Sequence, residues 1–215
     1  MPDVFDAEAS APLLLPRFFS DTEVAEVLAS GHARGPMPGA SPLSLLRDAG
    51  LGYRQPSICA ELRCVPHDAA YEPAHVALYL HRNRYIQKRC PLLWAKLERG
   101  MRTQPGLWGS PDLPLSVRCC ELHTYACGGS LLDPAHNDEG SALTLSILLE
   151  AAAEGGEMYT WAAGGEKRTH EMVAGDALLF HSEKRHNVSR VTSGRRVSLV
   201  TELWAAPPNA TDRYG

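Results

Sequence analysis

The sequence predicts an α+β protein: a jelly-roll core of short strands in the C-terminal half, with N-terminal helices packed on its outside. Two observations carry that prediction. Helical patterns are confined to the first half of the chain, and from Leu115 onward the apolar residues fall into short runs separated by Gly-rich turns. Helices first and strands afterwards give a segregated layout. With 215 residues, 44% hydrophobic content and no solenoid period, the chain suits one domain with a full core. The expected organisation is a helical and loop region over 1–114, the β core over 115–204, and a tail over 205–215.

The first helix begins after Ser20. Ser20 and Glu23, three residues on, form a capping box, Phe19 can staple against Val24, and Gly31 offers an exit. Residues 35–57 are rich in proline and glycine and read as a loop. Near Pro73 a second helical pattern starts, with Val76, Tyr79, Leu80 and Tyr85 at roughly helical spacing through Lys88. Pro91 interrupts it; residues 92–98 resume, with Gly100 as a stop. Residues 104–114 form a connector. Strands are then expected over 115–125, 143–149, 157–161, 168–173, 177–181, 187–191 and 196–204.

Composition excludes some classes. The formal net charge is -4 and the basic residues are dispersed, so the electrostatic footprint of a nucleic-acid binder is missing. The N-terminus carries Asp3, Asp6 and Glu8, and its apolar run of residues 13–15 is too short for a signal core or a membrane span. A soluble protein without a membrane partner is expected, intracellular, in cytoplasm or nucleus. The six cysteines lack a paired zinc spacing, and Cys119 and Cys120 should point to opposite faces of one strand, so reduced and mostly buried thiols are expected. Two glycosylation sequons occur, at Asn187 and Asn209; a glycan on the first would obstruct the site described next.

His136-Asn137-Asp138, followed by His186, gives the order HxD…H. Two imidazoles and one carboxylate can hold Fe(II) by one face and leave the opposite positions open for oxygen chemistry. Alone, the motif is weak: if roughly one residue in sixteen is Asp, nine histidines supply about half an HxD by accident. Taken alone, it is better explained as a polar turn opened by Asp133-Pro134 and closed by Asp138-Glu139-Gly140. Its company shifts the balance. In HNVSRVTSGRRVSL a histidine opens one strand, Ser193-Gly194 turns, and Arg196 sits on the returning strand, so a hairpin would bring both toward one cavity. The planar guanidinium of Arg196 can grip a carboxylate through two parallel hydrogen bonds.

Over roughly residues 118–204 the chain resembles the 2-oxoglutarate and Fe(II)-dependent oxygenases of the prolyl-4-hydroxylase type. The segments that carry the resemblance are YACGGSLLDPAHND, LTLSILLEAAAEGGE, GDALLF and HNVSRVTSGRRVSLVTELW, and more loosely the opening PLLLPRFFSDTEVAEVL. The resemblance implies a double-stranded β-helix, the cupin-like form of the jelly roll. It implies His136, Asp138 and His186 as iron ligands, Arg196 on the distal carboxylate of 2-oxoglutarate, and Tyr125 and Ser198 as further contacts to that cosubstrate. Fe(II), 2-oxoglutarate and O2 follow as reactants, with ascorbate as an auxiliary. The implied reaction hydroxylates a substrate C–H bond and releases succinate and CO2. Asp138 argues against halide transfer, because relatives that transfer halide lack that carboxylate. A peptidyl prolyl residue of a protein or peptide partner is the first choice of substrate, with lysine or a small molecule as alternatives. A catalytically silent jelly-roll binding module and a cupin-like metalloprotein without cosubstrate are the competing classes.

Three rivals bear on these assignments. His181 could replace His186, but the residue ten positions after it is Val191, which cannot bind a carboxylate. Arg195 competes with Arg196, yet neighbours on a strand face opposite ways, and the family pattern selects Arg196. His123 lies on the strand face of Tyr125 and could line the pocket, although a lone strand histidine is more often structural. Gly155-Gly156 reads as a hairpin turn, and Trp161 and Trp204 as core or rim aromatics. Substrate specificity is expected on loops 35–57 and 100–114.

Overall fold

The structure, a computed structural model, describes residues 6–34, 62–64, 74–102 and 115–209. The expected loop at 35–57 and connector at 104–114 lie outside the described residues. In chain order the strands are β1 (Leu13–Leu15), β2 (Leu62–Cys64), β3 (His75–Tyr79), β4 (Ser116–Tyr125), β5 (Leu143–Glu150) and β6 (Glu154–Gly155). They continue with β7 (Met158–Trp161), β8 (Lys167–His170), β9 (Ala177–His181), β10 (His186–Val188), β11 (Val191–Ser193) and β12 (Arg196–Trp204). The helices are α1 (Asp21–Arg34), α2 (Tyr85–Arg89) and α3 (Pro91–Arg102).

Seven strands form one antiparallel sheet in the order β1-β9-β5-β12-β4-β3-β2, and a smaller sheet has the order β10-β7-β8. β11 and β6 pair separately. Side chains from both larger sheets line one cavity, which is the jelly-roll arrangement the strand pattern predicts. β1, β2 and β3 all precede residue 115, so the N-terminal part contributes strands to the large sheet as well as helices.

The alternation of residues along the central strands decides which face meets which environment. On β12, Val197, Leu199 and Leu203 enter the main core together with Val27 of α1 and Leu93, Leu97 and Met101 of α3. Arg196, Ser198, Val200 and Glu202 point the other way and line the cavity. The same division holds on β4, where Cys120 and Leu122 face the helices while Glu121, His123 and Tyr125 face the cavity. Each fully buried leucine on the helix side contributes about 1.5–3 kcal/mol, so the apolar layer offsets the cost of a polar one behind it.

The start of α1 matches the sequence: the Ser20 amide donates to the Glu23 carboxylate (2.8 Å) and the Glu23 amide donates to Ser20 Oγ (3.3 Å). Phe19 and Val24 are both buried in the main core. Gly31 does not end the helix, which runs on to Arg34; a Cβ there would lie 2.2 Å from Leu122 Cδ2, so the glycine permits close packing on β4. Gly100 likewise is not a stop but faces the Phe18 ring, 2.4 Å from where a Cβ would stand.

The helix expected from Pro73 to Lys88 is replaced by β3, a short 3-10 turn at Arg82–Arg84 and then α2. Val76, Leu78 and Leu80 alternate with His75, Ala77 and Tyr79, so the segment fits a period of two as well as a helical one. Pairing decides the outcome: β3 lies along β4 in a register from His75↔Tyr125 to Tyr79↔Glu121. Left-handed backbone at Asn83 and Arg84 then separates the strand from the helix. Among the described cysteines, Cys90, Cys119 and Cys120 are buried and Cys127 is exposed. No helix of the described residues is long and apolar enough to cross a membrane.

Gly175 ties α1 to the barrel, because its carbonyl accepts from the Phe19 amide (2.9 Å) and its own amide donates to Leu148 (2.8 Å). Its φ is +93° and an added Cβ would meet the Phe19 carbonyl oxygen at 2.4 Å. Gly175→Ala should therefore destabilise the fold by roughly 2–4 kcal/mol, from left-handed strain plus backbone displacement. Urea denaturation checks this, and an unchanged midpoint would contradict it.

Candidate active site

The loop ahead of β5 and the strand β10 are stitched together by main-chain hydrogen bonds. Leu131 and Val188 exchange both amide bonds (2.9 and 3.0 Å), the His186 amide donates to the His136 carbonyl (3.1 Å), and the Asp138 amide donates to the Ser182 carbonyl (2.8 Å). The expected polar turn is present: Asp133 Oδ1 accepts from Ala135 (2.9 Å) and the His136 amide donates to the Asp133 carbonyl (3.0 Å). The turn and the motif are therefore the same object. Asn187 locks it from the side, donating through Nδ2 to the Asp133 carbonyl (2.6 Å) and accepting from Trp161 Nε1 (3.1 Å). Asn187 is fully buried, so its sequon serves as a structural clamp in the folded chain.

The stitching gathers His136, Asp138 and His186, whose ligand atoms lie within 4.8 Å of one another. Asp138 Oδ1 is 3.6 Å from His136 Nε2, and Oδ2 is 3.7 Å from His186 Nε2. The two imidazoles meet edge to face at 73°. His186 Nδ1 lies 3.0 Å from the Lys184 carbonyl, which can only accept, so Nδ1 is the donor there and Nε2 is the ring nitrogen that faces Asp138. Thr144 Oγ1 donates to Asp138 Oδ2 (2.7 Å) and neighbours Ser182 Oγ (2.9 Å), orienting the carboxylate. Two imidazole lone pairs and an oriented, buried carboxylate form a donor set that suits a first-row divalent ion.

The three groups open onto a cavity of about 430 Å³, one wall of which is the polar face of the large sheet. Arg196 stands in that wall, 2% exposed, donating from Nη1 to Ser198 Oγ (2.7 Å) with its guanidinium 5.7 Å from the Tyr125 ring centre. Among the described residues no carboxylate forms an ion pair with it. Burial pushes its pKa down, and Tyr125 opposes that shift. A guanidinium desolvated without a counter-ion is costly, and an anionic ligand entering the cavity would supply one. His75 stacks on Tyr125 (4.0 Å, 10°) and shares a hydrogen bond with His123 (2.9 Å), whose Nε2 lies 3.2 Å from Glu121.

His136, Asp138, His186, Arg196, Tyr125 and Ser198 thus all line one cavity. His123 lines it too, contrary to the structural role expected of a lone strand histidine. His181 is not among the lining residues, and its Nδ1 accepts from the Glu183 amide (3.3 Å). Arg195 points away and forms a two-pronged pair with Glu150 (2.7 and 2.5 Å). The expected hairpin between His186 and Arg196 does not form: β10 pairs with β7, β11 with β6, and β12 with β4 and β5. The chain instead passes from β10 of the small sheet through β11 and Gly194 (φ +78°) into β12 of the large one, and both residues line the cavity. Gly155 and Gly156 both have positive φ, but they do not form the expected hairpin turn: Gly155 belongs to β6, which pairs with β11, while β7 pairs with β10 and β8. Sequence reasoning missed Thr144, Ser182 and His75. The first two act only by contact with Asp138, and the third sits in the segment misread as helix.

No family model matches the chain. A 60-residue stretch is 42% identical to a PKHD-type hydroxylase of Psychrobacter sp. (strain PRwf-1), covering 28% of this chain and 23% of that protein. A Burkholderia pseudomallei oxidoreductase of the 2OG-Fe(II) oxygenase family superposes with a TM-score of 0.59 at 19% identity, over 95% of this chain and 88% of that one. A Trichoplax adhaerens prolyl hydroxylase, solved with a hypoxia inducible factor oxygen degradation domain peptide fragment, gives 0.63 at 14% identity over 91% and 84%. The chain therefore has the double-stranded β-helix fold of the 2OG-Fe(II) oxygenases.

Burial first, then the charges of His123, Arg196 and His136, holds the His75 pKa well below its ordinary 6.5. The unfolded chain takes up a proton at this residue near pH 6.5 and the folded one does not, so stability is lost as pH falls below that value. His75→Phe, which keeps the stack on Tyr125, should give a shallower loss between about pH 7 and pH 5. Urea midpoints at both pH values measure it, and parallel losses in the two proteins would contradict it.

Proposed function

We propose that this protein is a 2-oxoglutarate- and Fe(II)-dependent oxygenase that hydroxylates a substrate C–H bond and releases succinate and CO2. One observation carries the reading: His136, Asp138 and His186 converge on one point of a cavity that Arg196 also lines, buried and, among the described residues, without a carboxylate partner. The donor set fits iron, with His136 Nε2, Asp138 and His186 Nε2 as its ligands. When bound, iron supplies the oxygen-activating chemistry, and the protein's part is positioning and shielding. Arg196, assisted by Tyr125 and Ser198, holds the distal carboxylate of 2-oxoglutarate, a five-carbon diacid that carries a charge to each side of the cavity. Thr144 and the Lys184 carbonyl keep Asp138 and His186 aimed inward.

Peptidyl proline is the proposed substrate and a protein or peptide the proposed partner. Support comes from the fold, which is shared with a prolyl hydroxylase solved with a peptide. A screen of proline-containing peptides for a mass gain of one oxygen tests that choice, with lysyl peptides and small molecules as the competing arms.

Anaerobic addition of Fe(II) and 2-oxoglutarate should produce a visible charge-transfer band that His136→Ala abolishes, and aerobic turnover should release succinate. A protein that develops no band would be a binding module instead. Arg196→Ala should raise the 2-oxoglutarate concentration required by about 10- to 100-fold, the worth of hydrogen bonds to a charged group. Titration of the charge-transfer band measures that shift, and unchanged binding would remove Arg196 from the role.

A further inference from the structure

The peptide unit between Lys184 and Arg185 is held from both ends. Its carbonyl accepts from His186 Nδ1 at 3.0 Å, and its N–H, that of Arg185, donates to Glu8 Oε1 at 2.9 Å. Glu8 reaches this point from the far end of the chain, 177 residues away. Its position is fixed by its own turn, in which Asp6 Oδ1 accepts from the Glu8 and Ala9 amides (2.9 and 3.2 Å). The Lys184 ammonium, 1% exposed, donates to the Glu8 carbonyl at 2.7 Å and fastens the N-terminal turn against the segment between β9 and β10. The Arg185 guanidinium adds a second contact to the Glu8 carboxylate (3.3 Å).

We propose that Glu8 is a positioning residue for His186, acting through the 184–185 peptide as a carboxylate–peptide–histidine relay. This rests on the reading of His186 as a metal ligand. An anion hydrogen-bonded to the N–H of a peptide polarises its carbonyl and strengthens that carbonyl as an acceptor. A stronger acceptor fixes the Nδ1–H tautomer of His186 and makes Nε2 the better donor to a metal, which is how partners behind a ligating histidine tune a site. The N-terminal turn thereby becomes a working part of a site whose ligands begin at residue 136.

Two measurements test the relay. In the metal-free protein, nitrogen-15 NMR of His186 should show protonated Nδ1 in the wild type and a growing share of the Nε2–H tautomer in Glu8→Ala. Calorimetric titration with Co(II) should show affinity reduced by about tenfold in Glu8→Ala and by less in Glu8→Gln, whose amide oxygen still accepts from the Arg185 N–H. Arg185→Ala removes the guanidinium contact but leaves that N–H bond, so it should bind Co(II) as the wild type does. A general anchoring role predicts instead that Arg185→Ala and Glu8→Ala lose affinity equally, which would overturn the relay. So would an unchanged tautomer in a folded Glu8→Ala protein. A wild type that holds the Nδ1–H tautomer yet binds no Co(II) would count against the metal site and leave the Glu8–His186 coupling standing.

Discussion

The site depends on the stitching of the 131–138 loop to the 182–188 segment. Side chains distant in sequence cannot be held on one point by their own flexible torsions; the backbone beneath them has to be shared. Here the His186 amide bonds to the carbonyl of His136, and the Asp138 amide bonds to Ser182, so the loop that carries His136 and Asp138 is registered through main chain against the segment that carries His186. Removing that register would leave three polar side chains on a loop and a strand free to part. Asn187 and Thr144 reinforce it from behind, one on the turn and one on the carboxylate.

Around this seam the large sheet divides its labour by parity. Its helix side is apolar and stabilises the fold, whereas its cavity side buries the charged Arg196, Glu121 and Glu202 beside His75. Buried charges of this kind rarely raise stability. Some are tied locally: Glu202 accepts from Ser141 (2.6 Å) and lies 3.6 Å from Arg118. Arg196 differs, since among the described residues its hydrogen bond goes to a neutral hydroxyl, which leaves it suited to an incoming anion. A fold that keeps such a residue carries a cost that function explains better than packing does.

Much of this was legible in the sequence. The strands from 115 onward are short apolar runs between Gly-rich turns, and the Ser20–Glu23 box is a local signal with a local cause. His136, Asp138, His186 and Arg196 were readable because their chemistry is distinctive and their order informative. The failures have a common source in tertiary contact. Residues 73–88 fit two periods, and only pairing with β4 settles which one wins. Gly31 and Gly100 look like helix exits, but their use lies in the approach of Leu122 and Phe18, which no local window contains. The hairpin proposed between His186 and Arg196 was wrong in topology although the two residues do share a cavity, because two sheets closing on each other bring them together without pairing. Thr144, Ser182 and Glu8 are common residue types whose roles exist only in contact.

The central claim is that one ion is held by three side chains on this seam. Crystals grown with Zn(II) and measured at its absorption edge test it directly. The account predicts a single anomalous peak within about 2.0–2.2 Å of His136 Nε2, His186 Nε2 and an Asp138 carboxylate oxygen. A fully occupied peak elsewhere, with these three side chains unliganded, would contradict it.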